Sequence, residues 1–253
     1  MAEGDTILRL ARRFEVTLVG ATVEATAPNP RGKAAGIERL DGRTLEHAEA
    51  RGKHLMLGFG DVSLHSHLGM SGGWHFYKPG ARWRRPSSSA WAVLSGDGWE
   101  AVQFSGPTLQ VGPTARMRRN PQLTRLGPDI LAAEFDPDTV IAAMRVDPSR
   151  GLGDALLDQT LVAGIGNIFK SEACFAARID PWRQVGDLSD EELRGVLTAA
   201  REQMLNAVER GDRHRFQIYK RRQTVCPSCR GPVSCRGQGD ANRTTYWCPR
   251  CQG

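Results

Sequence analysis

Residues 226–251 read CPSCRGPVSCRGQGDANRTTYWCPRC. Two Cys-x2-Cys pairs, Cys226/Cys229 and Cys248/Cys251, stand 18 residues apart. Each pair suits a tight knuckle turn, and the residues between suit a hairpin that brings the knuckles together. Four thiolates then close a tetrahedron around one metal and leave no open position for chemistry. The spacing predicts a zinc ribbon holding one structural Zn2+; two disulfides or four unrelated thiols are the other reading. A closed site does no chemistry itself, so function must come from what the metal holds in place.

The surroundings of the ribbon are basic. Residues 213–253 carry nine Lys or Arg (Arg213, Arg215, Lys220, Arg221, Arg222, Arg230, Arg236, Arg243, Arg250) and one acid, Asp240, a net of +8. The whole chain is +6, so residues 1–212 sum to −2. Positive charge gathered in one tail is the electrostatic footprint of nucleic-acid binding; a merely soluble basic surface is the alternative.

A chain of 253 residues, 40% hydrophobic, can hold about two domains and a small metal module. No run approaches the ~18 apolar residues of a membrane span, and the start lacks the pattern of a secretory signal. With four of six cysteines in zinc spacing, a reducing cytosol is expected. Cys174 lies in an apolar helical stretch and is expected in a core; Cys235 is a spare thiol of the hairpin.

Upstream, Ile7, Leu8, Ala11 and Phe14 fall at helical spacing, with Asp5 or Thr6 placed to cap the start. Residues 16 to about 110 read as strands and turns. In Val62-Ser-Leu-His-Ser-His-Leu68 apolar and polar residues alternate, which predicts a half-buried strand, and several such strands suggest a sandwich or barrel. Residues 111–128 read as a hinge. Helices are then expected from Asp136, over Asp154–Ala163, over Ile168–Ala177, and from the capping box Ser189-Asp-Glu-Glu192 to about Glu209, with Leu188 and Leu193 as a hydrophobic staple. The order is β-rich domain, helical domain, ribbon.

Several residues carry possible chemistry. Gly164-Ile-Gly166-Asn167 separates two helices; its backbone N–H groups and the Asn167 amide can make an anion site, or the stretch is a plain interhelical turn. Ala2 is small, so removal of Met1 is expected, leaving an α-amine of reference pKa near ~8. Such an amine is a possible Schiff-base nucleophile, with Glu3 beside it as an acid. Lys53, at a strand start in Arg51-Gly-Lys-His54, can reach a phosphate or be simply solvated. His65 and His67 share a strand face; no third ligand is evident, so hydrogen-bonded histidines are expected there rather than a second metal.

These pieces occur together in one family. AEGDT at the start, RGKHL, SLHSHLGMSG, LLDQTLVAGIGNIFKSEACF and the terminal NRTTYWCPRCQ resemble the formamidopyrimidine-DNA glycosylase / endonuclease VIII family over nearly the full length. The resemblance implies an α+β multidomain protein. Residues 1–115 would form an N-terminal catalytic β-sandwich, 116–212 a helical domain with a helix–two-turn–helix, and 213–253 the zinc ribbon. It implies a base-excision enzyme, a DNA glycosylase with abasic-site lyase activity on damaged double-stranded DNA, monomeric, cytoplasmic and nucleoid-associated. By the same resemblance Ala2 takes the Schiff-base position, Glu3 the acid position and Lys53 that of the catalytic lysine. Asn167 and Arg243 take phosphate-contact positions, and Met70 that of the wedge filling the void left by a flipped base. Cys226, Cys229, Cys248 and Cys251 are the implied zinc ligands.

Two departures qualify the resemblance. The family norm at residue 2 is proline, which gives a permanently cationic iminium. Ala2 gives a neutral imine that must first gain a proton, so weaker lyase steps, or a lesion-binding protein without catalysis, are the alternatives. The purine-lesion branch has an Arg-x-Phe loop; the comparable FSGPTLQV, residues 104–111, has no such motif. The EGDT start is closer to the endonuclease VIII branch, which favours oxidised pyrimidines.

Overall fold

The structure is a computed structural model that describes residues 2–211, 214–220, 224–239 and 242–253. Met1, Arg213, Arg221, Arg222 and Asp240, which enter the expectations above, lie outside the described residues. The chain divides into two compact units, Met1–Thr124 and Arg125–Gly253. The helical segment and the ribbon fall within the second.

The first unit opens with helix α1 (Gly4–Thr17), whose Ile7, Ala11 and Phe14 face the core. Neither Asp5 nor Thr6 caps it. The cap position is Glu3, whose carbonyl accepts from Thr6 N at 3.0 Å and Ile7 N at 3.2 Å. Strands β1 (Thr22–Thr26), β2 (Arg43–Thr44), β6 (Gly73–Tyr77), β7 (Ala90–Gly96) and β8 (Trp99–Phe104) form one antiparallel sheet, in the order β2-β1-β7-β8-β6. A short helix α2 (Pro30–Ala34) lies between β1 and β2. Strands β3 (His47–Arg51), β4 (His54–Phe59), β5 (Val62–His67) and β9 (Thr108–Pro113) form the other, in that order. One core holds Val23, Ala25, Leu94 and Ala101 from the first sheet and Leu55, Leu57, Leu64 and Val111 from the second, so the unit is a β-sandwich. Phe14 closes one edge, its ring edge-on to Trp74 at 5.2 Å and Phe76 at 4.9 Å.

Strand β5 departs from the half-buried expectation. Its polar residues Ser63, His65 and Ser66 are buried as deeply as its apolar ones. Each has a partner that the local sequence does not show: Thr114 Oγ1 for Ser63 at 2.8 Å, His54 for His65 at 2.8 Å, and the Trp74 indole for Ser66 at 3.2 Å. The expected hinge at 111–128 is also more ordered than its composition suggests. Strand β9 runs through Pro113, and two short helices follow, α3 (Thr114–Arg118) and α4 (Pro121–Thr124).

The second unit contains α5 (Pro137–Met144), α6 (Leu152–Leu157), α7 (Asn167–Ala176) and α8 (Asp190–Arg210) around a core of Leu156, Phe169, Leu193, Val196 and Met204. Cys174 is fully buried in it. Asp136 caps α5, accepting from Asp138 N at 3.0 Å and Thr139 N at 3.2 Å. The capping box at Ser189 is present: Glu192 N donates to Ser189 Oγ at 3.2 Å and Ser189 N to Glu192 Oε2 at 2.7 Å. Helix α6 is shorter than the expected 154–163. Asp158 stops it by accepting from Thr160 N at 2.8 Å and Thr160 Oγ1 at 2.7 Å, a local bond that competes with the helix. The ribbon is a hairpin of β10 (Ser234–Gln238) and β11 (Arg243–Trp247), followed by the turn of helix α9 (Pro249–Gln252).

Candidate active site and metal centre

In the first unit the candidate catalytic residues gather at one end of the β4–β5 ladder. Arg51 pairs with His54 across a two-residue turn, Gly52-Lys53, and Gly52 sits at φ +56, where a side chain would be strained. His54 pairs in turn with His67, and Leu68, Gly69 and Met70 follow directly. Lys53 is therefore placed beside the turn that carries Met70. The chain start comes to the same turn, because Ala2 N donates to Gly69 O at 3.3 Å. Glu3 is only 1% exposed, at the positive end of α1, where a carboxylate is favoured. Met70, by contrast, is 70% exposed, an unusual state for a large apolar side chain.

A brace of polar contacts holds the Met70 turn. Gly72 N donates to Leu68 O at 2.9 Å, Ser105 Oγ donates to Ser71 O at 3.1 Å, and the Gln103 amide donates to Ser105 O. Sequence reasoning missed Gln103 and Ser105, since they lie some thirty residues from the turn they hold.

Three histidines pack beneath Lys53. His54 Nδ1 and His65 Nε2 share a hydrogen bond at 2.8 Å, and the rings of His54 and His67 are 4.8 Å apart. Burial, then the neighbouring His65, His67, Lys53 and Arg51, push His54 down to about 3. Burial and then His67 push His65 to about 4, and burial with Lys53 lowers His67. The three rings are thus neutral near pH 7. Of the two histidines expected to be hydrogen-bonded, His65 is, to the His54 that strand pairing supplies, while the ring of His67 packs against that of His54.

In the second unit the residues 158–166 between α6 and α7 make a turn at 159–161 and bends at 162 and 164, stapled by Gln159. Its amide donates to Leu157 O at 2.8 Å and Ile165 O at 3.0 Å, while its oxygen accepts from Gly164 N at 3.0 Å. Gly164 lies at φ +102, again a glycine position. Helix α7 starts at Asn167, whose side chain is 5% exposed and donates to Thr244 O at 2.7 Å. That bond uses one of the two hydrogens of the amide. Thr244 follows the exposed Arg243, so the structure joins Asn167 to the strand that presents Arg243.

More of α7 docks the ribbon. Lys170, fully buried, donates to Thr245 Oγ1 at 2.5 Å, and Thr245 donates on to Gln238 at 2.7 Å. The Glu172 carboxylate accepts from Gln217 N, Ile218 N and Tyr219 N at 2.8, 2.8 and 2.7 Å. Burying such groups is costly unless they are satisfied, so these bonds fix the register of ribbon on helix.

The sulfurs of Cys226, Cys229, Cys248 and Cys251 all lie within 4.8 Å of one another, with Cys226–Cys251 at 3.8 Å and Cys229–Cys248 at 3.4 Å. A tetrahedral zinc with ~2.3 Å bonds needs sulfurs about 3.8 Å apart, so the four thiols fit a metal. Burial opposes ionisation of Cys226, but N–H groups of Cys229 and Ser228 and the thiols of Cys248 and Cys251 outweigh it and bring it to about 7. A hydrogen bond with the Cys229 thiol and then burial push Cys251 up to about 12.

Residues 1–105 match the model of the formamidopyrimidine-DNA glycosylase N-terminal domain, and residues 126–217 that of the formamidopyrimidine-DNA glycosylase H2TH domain. The chain is 38% identical over 264 residues to the probable endonuclease 8 2 of Streptomyces coelicolor, covering 100% of this chain and 94% of that protein. It is 31% identical over 260 residues to the DNA-(apurinic or apyrimidinic site) lyase Nei2 of Mycolicibacterium smegmatis, covering 100% and 99%. Among solved structures, the MutM (Fpg) protein of Thermus thermophilus superposes with a TM-score of 0.82 at 29% identity, over 99% of this chain and 98% of that one. The Lactococcus lactis Fpg, solved with abasic-site DNA, shares the fold at a TM-score of 0.85 and 23% identity, over 99% of each chain. The chain belongs to the formamidopyrimidine-DNA glycosylase / endonuclease VIII family of DNA glycosylases and abasic-site lyases.

Proposed function

We propose that this chain excises oxidised bases, pyrimidines foremost, from duplex DNA and then cleaves the abasic site through a Schiff base on Ala2. The observation that carries the reading is the meeting of Ala2 and Lys53 beside the turn of the sandwich that carries the exposed Met70.

Once Met1 is removed, the Ala2 nitrogen is a primary amine. It attacks C1′ of the damaged nucleotide, the glycosidic bond breaks, and the base leaves with a proton that Glu3 supplies or relays. The C1′ adduct opens to an imine on the Ala2 nitrogen. Protonated, that imine withdraws electrons from C2′, and loss of a C2′ proton expels the 3′ phosphate. Lys53 binds a phosphate beside the lesion and assists this elimination. Met70 enters the stack where the base was, offsetting the few kcal/mol that flipping costs. In the second unit, the free amide hydrogen of Asn167 and the guanidinium of Arg243 hold phosphates. A zinc ion on Cys226, Cys229, Cys248 and Cys251 would fix the hairpin that presents Arg243 and supply no catalysis. The protein would act as a monomer in the cytoplasm.

The test is cleavage of a panel of duplexes carrying an oxidised pyrimidine, 8-oxoguanine or a bare abasic site, with and without borohydride. Base release from the oxidised pyrimidine and a borohydride-trapped adduct support the proposal. The alternative is favoured by Ala2 standing where the family has proline: tight binding to the abasic duplex with neither cleavage nor trapping would make the protein a lesion-binding one.

A further inference from the structure

Residues 62–96 contain no Asp or Glu, and the loop joining β6 to β7 carries Arg82, Arg84 and Arg85. All three are exposed, and among the described residues none forms an ion pair. Surface arginines kept for solubility usually stand among acids and pair with them. These do not. Nor is the loop loosely held. Trp83 Nε1 donates to Glu100 Oε2 at 3.1 Å, and Arg84 N donates to the Tyr77 hydroxyl at 3.1 Å. Glu100 is the carboxylate that the loop touches, and it is turned onto the indole.

The position of the loop is the second observation. The Arg85 guanidinium lies 5.9 Å from the centroid of the Phe104 ring, and Trp83 stands edge-on to the same ring at 6.3 Å. Phe104 pairs with Gly73 on one side and Ala90 on the other. Gly73 comes three residues after Met70, and Ser105, next to Phe104, holds Ser71. The loop therefore stands on the sheet end that carries the Met70 turn. Strand β6 spans five residues, so the loop extends within about 17 Å of that end. Along one DNA strand that is about five phosphates at ~3.4 Å each. The side chain of His75, beneath Arg84 and Arg85, has its pKa lowered by burial and then by both arginines, as expected where positive charge is concentrated.

We propose that the Arg82–Arg85 loop is a second phosphate-binding element of the first unit, gripping the DNA backbone that flanks the nucleotide engaged at Met70. Guanidinium groups bind phosphate in two-pronged fashion, and a loop already pinned loses little freedom on binding. The proposal rests on the DNA-repair reading above and extends it to residues which that reading does not use.

The experiment measures binding to a duplex carrying a tetrahydrofuran abasic-site analogue, as a function of salt. Arg84→Ala with Arg85→Ala is expected to weaken binding roughly tenfold and to make the log–log slope shallower by nearly two units, at about 0.9 per phosphate. A control pair, Arg43→Ala with Arg194→Ala, removes the same charge at exposed sites ion-paired with Asp61 and Asp138 and should leave the slope alone. Neutral methylphosphonate linkages placed one at a time through the flank should cost the parent affinity at some position, and cost the double variant nothing there. If the alanine pair melts early, Arg84→Gln with Arg85→Gln, which keeps polar side chains of similar reach, replaces it and should make the slope shallower by the same amount. An unchanged slope in the alanine pair, or the same loss in the control pair, overturns the proposal. Should the parent itself fail to bind the duplex, it is the DNA-repair reading that falls.

Discussion

The backbone nitrogen of Ala2 donates to the carbonyl of Gly69, the residue before Met70, at 3.3 Å. The expected nucleophile thus sits beside the turn that carries the expected wedge. Ala2→Pro leaves the nitrogen in place and turns its imine into a permanent cation. Strand cleavage at abasic sites should be retained or increase, up to about tenfold, a barrier change of ~1.4 kcal/mol. A Gly inserted between Met1 and Ala2 should abolish borohydride trapping while leaving the fold intact. Mass spectrometry of the purified parent should find Ala2 first; a retained Met1 with efficient trapping would refute the assignment of this amine.

Lys53 sits on the Gly52-Lys53 turn, next to the His54–His67 pair. The proposed role in elimination predicts that Lys53→Gln slows cleavage by about 100-fold, in the range typical of a positioned acid–base group, and weakens DNA binding less than tenfold. Single-turnover cleavage and equilibrium binding of the same duplex separate the two. Equal losses would reduce Lys53 to a phosphate anchor.

Much of this arrangement was legible in the sequence, and the limits have physical causes. The CxxC spacing, the Asp136 and Ser189 caps and the order of units are local patterns, and each is found. The length of α6 was misread because helical periodicity continues past Asp158, whereas the stop is one side chain bonding its own backbone. The buried face of β5 was misread because alternation says which residues share a face, not what covers it. Asn167 was expected to point at an anion; that its amide also serves Thr244 depends on a contact 77 residues away.

Met70 is exposed by 70% and has a braced turn beneath it. Met70→Ala should therefore cost little stability but slow base release from duplex by about tenfold or more, because only the flipped state loses a contact. Activity on single strands should fall less. Ser105→Ala, which loosens the brace, should give a milder version of the same pattern. Equal loss on duplex and single strand would remove Met70 from the wedge role.

The histidine cluster predicts a pH dependence of stability. His54 near 3 and His65 near 4 lie below their ordinary value of 6.5. Below about pH 6.5 the unfolded chain gains protons that the folded one refuses, so their contribution is present above that pH and lost as pH falls toward 4. Each ring can add a slope of up to ~1.4 kcal/mol per pH unit, less where solvent screens it. Urea denaturation between pH 7.5 and 5 should show this fall, and His54→Gln with His65→Gln should flatten it. A parent curve flat across that range would mean that the folded rings take up protons as readily as the unfolded ones.

The ribbon makes the last prediction. Its thiols fit a metal, and its hairpin reaches α7 through Asn167–Thr244 and Lys170–Thr245. Ribbon folding is driven by the metal, so Cys248→Ser should lose zinc and DNA binding together. The sandwich does not depend on those bonds and should stay folded, which near-ultraviolet circular dichroism of its tryptophans reports. A finer variant separates anchoring from charge. Arg243→Ala keeps the hairpin and removes one guanidinium, so zinc content should hold while the salt dependence of binding becomes shallower by about one unit. Asn167→Ala should do more than remove a phosphate contact, because it also frees Thr244 and with it the strand that presents Arg243. Combined with Arg243→Ala it should therefore show a less than additive loss, with a coupling of about 0.5–3 kcal/mol. Additive losses would mean that the Asn167–Thr244 bond plays no part in presenting Arg243, and zinc-free Cys248→Ser protein that still binds DNA normally would free DNA binding from the metal altogether.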